Sequence, residues 1–408
     1  MRIKSRSIFS NKLLADDPGK ASHPMRDLDE SKQEIVKAAA RFGAETVAPN
    51  AEAWDTAGRV PDSFFTDAAK LGLCKLVVPR ELDGLGLSAT AVMRVAETLA
   101  QTSMESAFAL LVHNNLAGSV AKNAPAPLIE EQLARMMRGE NVGAFLLTEP
   151  DFGSDASAIT TRAEKSGTDW IINGHKAWVT NGVHADLFSV YAQTEPGAGA
   201  KGIACFLIEA ESPGVTRHAP YALLGSHALG TTGIDFADCR VPGSNLMIAP
   251  GLAFRAAMQG IDFARVAVAA MCCGMLQQAL AEAVAYTGRR RAFGQTIGEF
   301  QGIQWMLADA STDLKAARLL TQAAAAKIDA GEDATLAAAH AKKYATRVAF
   351  DRIAQCMQTM GAAGLSRDYP LARHLAAAKM AQYVDGATEI QNVVIARSLE
   401  SEYGVADD

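Results

Sequence analysis

Two long stretches whose apolar residues recur every three or four positions enclose a third, residues 140–250, in which short apolar runs alternate with Gly- and Pro-bearing turns. The first pattern is that of buried helices and the second that of strands. A chain in this order reads as an α+β fold with a β-domain wedged between two helical domains. Such an arrangement leaves clefts between domains, and clefts bind ligands. With 408 residues there is length for two or three domains and a large shared core.

In the first helical stretch, residues 27–139, Ile35, Ala38, Ala39, Phe42 and Val47 follow a helical period from Asp29 to Val47. Pro61-Asp62 opens another helix and Leu71-Gly72-Leu73 closes it. Ala91 to Ala121 is long and Ala-rich, which predicts two buried helices with a break at the polar Gln101-Thr102-Ser103. Pro125-Ala126-Pro127 then punctuates the zone.

In the middle stretch, Trp170-Ile171-Ile172, Asn173-Gly174 and Lys176 to Thr180 read as a hairpin, because Asn-Gly tolerates the positive φ of a type I′ turn. Asn181-Gly182 is a second turn, and Leu187 to Ala192, Ile203 to Ile208 and Gly233 to Phe236 are further strands.

The last stretch, residues 251–408, returns to helix. Asp262 to Arg289 is apolar on nearly every face and should lie inside a bundle. Gln301 to Ala330 ends at Gly331, Asp333 caps a helix to about Met360, and Leu371 to about Tyr383 begins a fourth, so a four-helix bundle is expected.

The net charge of −6 and the lack of a basic stripe argue against a nucleic-acid partner. No apolar run reaches the length that spans a bilayer. Six cysteines without paired spacing suggest a reducing compartment and no metal site. Residues 1–26 carry Arg2, Lys4, Arg6 and Lys12 but also Asp16 and Asp17, and no apolar signal core. They read as a flexible cytoplasmic arm, with a presequence for the mitochondrial matrix as the alternative.

Two motifs carry chemistry. Leu146 to Asp155 joins a short strand to a Gly-Ser turn, where backbone N–H groups and the hydroxyls of Thr148 and Ser154 can meet a phosphate or carbonyl. A plain polar turn is the alternative. Trp178 and Thr180 on one strand face would give a planar ring system a wall and a hydrogen bond, unless Trp178 is simply core.

Together these motifs resemble the acyl-CoA dehydrogenase family, whose hallmark reads Thr-Glu-Pro-x-x-Gly-Ser-Asp and then Gly-x-Lys-x-Trp-Ile-Thr-Asn-Gly. Here the second half stands as Gly174-His175-Lys176-Ala177-Trp178-Val179-Thr180-Asn181-Gly182. Two further blocks fit the same resemblance in the same order: Tyr286, Arg290, Phe293, Gly294 and Gln301, then Gln358 to Gly364 with Asp385 to Gln391. The likeness spans about residues 27–402. It implies a helical N-terminal domain, a β-domain and a C-terminal four-helix bundle, with FAD between the last two. By similarity Phe145, Leu147 and Thr148 line the isoalloxazine, Trp178 and Thr180 flank it, and Ser154 lies near the FAD pyrophosphate or the thioester. Family members are usually homotetramers, so Arg290, Phe293, Gln301, Gln358 and Gly361 are expected to reach a neighbouring subunit's FAD.

The implied reaction removes an α-proton and a β-hydride from an acyl thioester, CoA-bound or carried on a carrier protein. Electrons would pass to an electron-transfer flavoprotein. A weakly acidic α-hydrogen needs a positioned carboxylate and a polarised carbonyl. The family places a Glu before a Gly near the C-terminus, and here that position is Asp385 before Gly386. The other position used by some relatives holds Ala264, before Arg265. Val384 replaces an aromatic in the acyl pocket wall; Ala387 replaces a Thr that meets FAD, with Thr388 beside it as a substitute. Asp262 and Arg265 are expected to face the thioester arm. Ser106 to Leu116 resembles the acyl-pocket helix of short- and branched-chain members, or else is a buried helix with His113 satisfied locally. The shorter base leaves open a flavin oxidase or monooxygenase on the same scaffold, and a flavin-binding protein without turnover is a further alternative.

Overall fold

The computed structural model describes residues 30–404; the arm at 1–26 lies outside them. Seven helices come first: α1 (Glu30–Phe42), α2 (Ala51–Ala57), α3 (Ser63–Lys70), α4 (Ala89–Ala100), α5 (Met104–Asn123), α6 (Ala126–Leu128) and α7 (Ala134–Met137). The break between α4 and α5 falls at the expected polar stretch. No Gly is needed there, because Ser103 caps α5: its Oγ accepts from the Ser106 N–H at 3.1 Å. The short α2 carries little apolar periodicity of its own, and α6 and α7 continue through the turn that Pro125-Ala126-Pro127 begins rather than ends.

Eight strands follow: β1 (Gly143–Leu146), β2 (Arg162–Ser166), β3 (Asp169–Val179), β4 (Leu187–Gln193), β5 (Ile203–Glu209), β6 (Val215–Arg217), β7 (Thr232–Val241) and β8 (Leu246–Ile248). They form one sheet in the order β6-β7-β3-β2-β4-β5-β8, with β1 running parallel to β4 from Gly143 opposite Leu187 to Leu146 opposite Val190. β4 is buried along its whole length and carries the sheet's inner core.

The expected Asn173-Gly174 hairpin is not there. The chain reverses one turn earlier, at Gly167-Thr168 between the paired Ser166 and Asp169, and β3 runs straight through Asn173-Gly174. Asn173 is instead tied across to β7, its Nδ2 donating to Asp238 and its Oδ1 accepting from the Asp238 N–H at 2.8 Å. Gly174 sits at a bulge with φ +151°, and a Cβ there would lie 2.5–2.7 Å from Thr161. The glycine answers to a close approach of backbone, not to a turn.

The C-terminal part begins with α8 (Ala253–Thr287), nine residues before Asp262, then a small β9 (Arg291–Ala292) and β10 (Gln295–Thr296) hairpin. α9 (Gln301–Asp329), α10 (Thr335–Met360), α11 (Leu371–Ala381) and α12 (Thr388–Tyr403) complete it. α8, α9 and α10 pack on one another, α11 and α12 pack on α10, and α4 packs on α8, so the two helical parts share one core. Among the described residues α8 is long and apolar enough to cross a membrane, but 78% of its apolar window is buried inside the protein. All six cysteines are free and buried.

Candidate active site

The first motif enters the site as the end of β1 and the loop after it, the second as the end of β3. One backbone bond ties them: the Ala177 N–H donates to the Thr148 carbonyl at 2.9 Å. Beneath this junction lies a buried ion pair. Lys176, with no exposed surface, donates from Nζ to Glu149 Oε1 and to the Leu147 carbonyl, both at 2.9 Å. The Glu149 carboxylate also accepts from the Thr160 N–H and hydroxyl and from the Thr161 N–H. Burial pushes against its ionisation, but Lys176 and these donors hold it well below the usual carboxylate range.

On this platform Phe145 is half-buried against Tyr191, ring centroids 5.0 Å apart. Leu147 is buried, while Thr148 and Thr180 are half-buried. Trp178 has φ +58° and turns its ring outward, 57% exposed, against Tyr221 at 4.5 Å. The sequence's core alternative for Trp178 is thereby excluded. Asn181, also at positive φ and fully buried, anchors this end of β3 to α5 and β1 by donating to the carbonyls of Ala109 and Gly143. Ser154 is exposed on the loop. An exposed indole, an apolar ledge and two half-buried hydroxyls on adjoining segments suit a planar, hydrogen-bonding ring, so these residues fit a flavin.

The second half of the site is the turn between α11 and α12. Asp385 takes φ +53° and Gly386 φ +92°. Asp-Gly accepts two consecutive positive φ values readily, yet holding one such conformation in place calls for outside support. Three helices supply it. Arg265 of α8 donates from Nε to the Asp385 carbonyl at 2.9 Å, and Lys342 of α10 donates to the Gly386 carbonyl at 2.8 Å. Gln391 of α12 donates to the same Gly386 carbonyl at 2.9 Å. Arg265 is steadied in turn by Asp262 at 2.8 Å, whose other oxygen accepts from Thr335 at 2.7 Å.

So the backbone of the turn is held while the carboxylate is not. Asp385 Oδ2 is buried and has no hydrogen-bond partner, and Gln391 Oε1 is likewise buried and unpartnered. Burial raises the Asp385 carboxyl to about 6, against the pull of Lys342 and Arg265. Such a carboxylate is a stronger base than a solvated one and is free to accept a proton.

Several predicted positions fall elsewhere. Asp262 and Arg265 are engaged with each other and with the turn. Val384 is half-buried against the core, and the Thr388 hydroxyl faces the Gln382 carbonyl at 3.5 Å. His113 is fully buried and bridges the Met136 carbonyl and the Gly143 N–H, the locally satisfied alternative. Arg290, Phe293, Gln301, Gln358 and Gly361 are all exposed on the C-terminal part, Phe293 at 95%. Among the described residues no hydrogen bond, ion pair or ring contact joins them to the Thr148–Trp178 wall. Lys342 lies outside the sequence motifs, and Gln391 enters them only as the end of the Asp385 to Gln391 block. The signal for Lys342 was its place in the stripe Ala338, Ala341, Ala345 and Ala349, the buried face of α10.

Three family descriptions match in succession: the N-terminal domain of acyl-CoA dehydrogenase over residues 29–140, its middle domain over 144–239 and its C-terminal domain over 254–400. The chain is 34% identical to the mouse mitochondrial short-chain specific acyl-CoA dehydrogenase, covering 92% of each sequence. This protein belongs to the acyl-CoA dehydrogenase family. Membership makes it an FAD-dependent oxidoreductase. Among solved structures, butyryl-CoA dehydrogenase from Megasphaera elsdenii superposes with a TM-score of 0.88 at 32% identity, covering 91% of this chain and 99% of that one. A glutaryl-CoA dehydrogenase from Mycobacterium smegmatis in complex with FADH2 gives a TM-score of 0.86 at 26% identity, covering 93% and 96%. Both helical domains and the β-domain are thus those of the family.

Proposed function

We propose that this acyl-CoA dehydrogenase takes a short- or branched-chain acyl-CoA and that Asp385 abstracts its α-proton. The observation that carries this is the buried, unpartnered Oδ2 of Asp385 on a turn whose backbone is clamped from three helices. Phe145, Leu147, Thr148, Trp178 and Thr180 would hold the FAD ring, with Ser154 near its pyrophosphate or the thioester. When bound, FAD supplies the acceptor for the β-hydride. Asp385 would take the α-proton onto its Oδ2, which is already buried and without a hydrogen-bond partner. Val384 and Gly386 border the acyl group, and Asp262 and Arg265 act on the substrate through the turn they hold.

Arg290, Phe293, Gln301, Gln358 and Gly361 belong, on this view, to a homotetramer in which they meet the neighbour's FAD; an exposed Phe293 is otherwise unaccounted for. Electrons leave to an electron-transfer flavoprotein. Six reduced thiols suit the cytoplasm, or the mitochondrial compartment that the mouse relative's name gives.

The test is anaerobic mixing of the FAD-bound protein with a series of acyl-CoAs while following the flavin's absorbance near about 450 nm. Bleaching by a short or branched acyl-CoA, abolished in Asp385→Asn, supports the assignment. Bleaching only by a carrier-protein thioester would move the substrate class. Rapid reoxidation of the reduced protein by O2 would move the reaction to the oxidase class.

A further inference from the structure

The Asp385 turn contains a second buried charge that the proposed chemistry does not use. Lys342 has no exposed surface, and its Nζ makes its hydrogen bond to the Gly386 carbonyl at 2.8 Å, not to a carboxylate. A lysine buried in the middle of an Ala-lined helix face costs several kcal/mol unless something at that spot needs it. Packing alone would be served by Met or Leu at the same position. The carbonyl it holds is already taken by Gln391 Nε2 at 2.9 Å, so hydrogen bonding alone does not require a cation either. What the lysine adds is a fixed positive charge one peptide away from Asp385.

We propose that Lys342 is a positioning residue for the base: it pins the Gly386 carbonyl and sets the positive potential in which the Asp385 carboxylate ionises. This rests on Asp385 being the base. Charged and titratable groups reach this turn from each element packed on it. They are Arg265, Asp262 and Cys272 from α8, Lys342 from α10 and Glu389 from α12. Arg265 is balanced by its partner Asp262, and Glu389 is exposed. Lys342 alone is both fully buried and without an ion-pair partner in bonding contact, so its charge acts on Asp385 least screened. Burial lowers the Lys342 ammonium to about 8 and the Asp385 charge opposes that fall, so it stays protonated at neutral pH. The sign follows: a nearby cation favours the carboxylate, and its removal must raise the pH at which the base becomes active.

The experiment compares the FAD-bound native protein with Lys342→Met, Lys342→Gln and Lys342→Arg. The rate of anaerobic flavin bleaching by the best acyl-CoA is followed from about pH 5 to about pH 9. Flavin content and melting temperature are recorded for each. Gln keeps a donor but loses the charge, Met loses both, and Arg keeps both. The base limb should move up by about one pH unit in Met and Gln, a tenfold slower rate on the acid side. Arg should return it toward the native position, and Met alone should also slow the plateau as the turn loosens. An unmoved limb in Lys342→Gln overturns the proposal. So does failure of all three variants to fold, which would make Lys342 a packing residue. If Asp385→Asn bleaches at the native rate, Asp385 is not the base and this inference falls with it. If Asp385→Asn is inert and the Lys342→Gln limb stays put, the lysine proposal alone is refuted.

Discussion

Replacing Asp385 by Asn should abolish proton abstraction and at the same time stabilise the fold. The carboxyl has a pKa of about 6 in the folded protein against 3.8 for a solvated group, so folding disfavours its ionised form. A gap of about two units is worth roughly 3 kcal/mol once the group is fully ionised, and the attraction of Lys342 and Arg265 is already contained in it. Asn removes that penalty but brings an NH2 group into a spot without an acceptor, which costs about 1–3 kcal/mol. The net gain should be about 0–2 kcal/mol at neutral pH, at roughly 2 °C per kcal/mol in melting temperature. The pH dependence is the sharper test. A folded-state pKa above the unfolded one means that native stability is highest below about pH 4 and declines as pH rises through about 6. The variant, relative to native, should therefore be least stable near pH 4, gain about 3 kcal/mol by about pH 6 and stay constant above it. Thermal melts of both proteins at matched FAD saturation measure this. A gap independent of pH, or a variant less stable than native at pH 8, would refute the picture of a desolvated, unpartnered carboxylate.

Three further outcomes follow from the same geometry. The rate of flavin bleaching by substrate should rise with pH through a limb near 6, about tenfold per unit on its acid side, because only ionised Asp385 accepts the proton; stopped-flow across pH shows it. Glu149→Gln leaves the Lys176 ammonium buried without its counter-charge and should lower stability by about 3–5 kcal/mol, with loss of bound flavin in gel filtration. Gly174→Ala drives a Cβ into Thr161 at a bulge and should cost about 1–3 kcal/mol in chemical denaturation, whereas Gly167→Asn, in the real turn, should cost far less.

The helices that bury one long apolar face were legible because their period is local: α1, α3, α9 and the split between α4 and α5 lie where the residues place them. Asn173-Gly174 misled because the dipeptide's turn preference is also local, while its real partners, Asp238 and Thr161, are 65 and 13 residues away in sequence. Thr148, Trp178 and Thr180 stand out in the sequence because each lies in a contiguous motif. The clamp on Asp385 did not show, since Arg265, Lys342 and Gln391 converge from three helices and nothing in their spacing says so. Arg290 and Phe293 stand on an exposed surface, where the proposed tetramer would bring another copy of the chain.

The six buried thiols offer a built-in clock for local opening. Cys74 lies in the turn after α3, Cys205 and Cys239 in the sheet, and Cys272, Cys273 and Cys356 in the bundle. Burial pushes Cys74, Cys205, Cys272 and Cys356 each up to about 12, so the intact protein offers almost no thiolate to an alkylating reagent. Each labelled cysteine therefore records an excursion of its own neighbourhood into solvent. Peptide mapping after timed alkylation would rank how often the helical ends, the sheet and the bundle breathe, with no reporter group added to the chain.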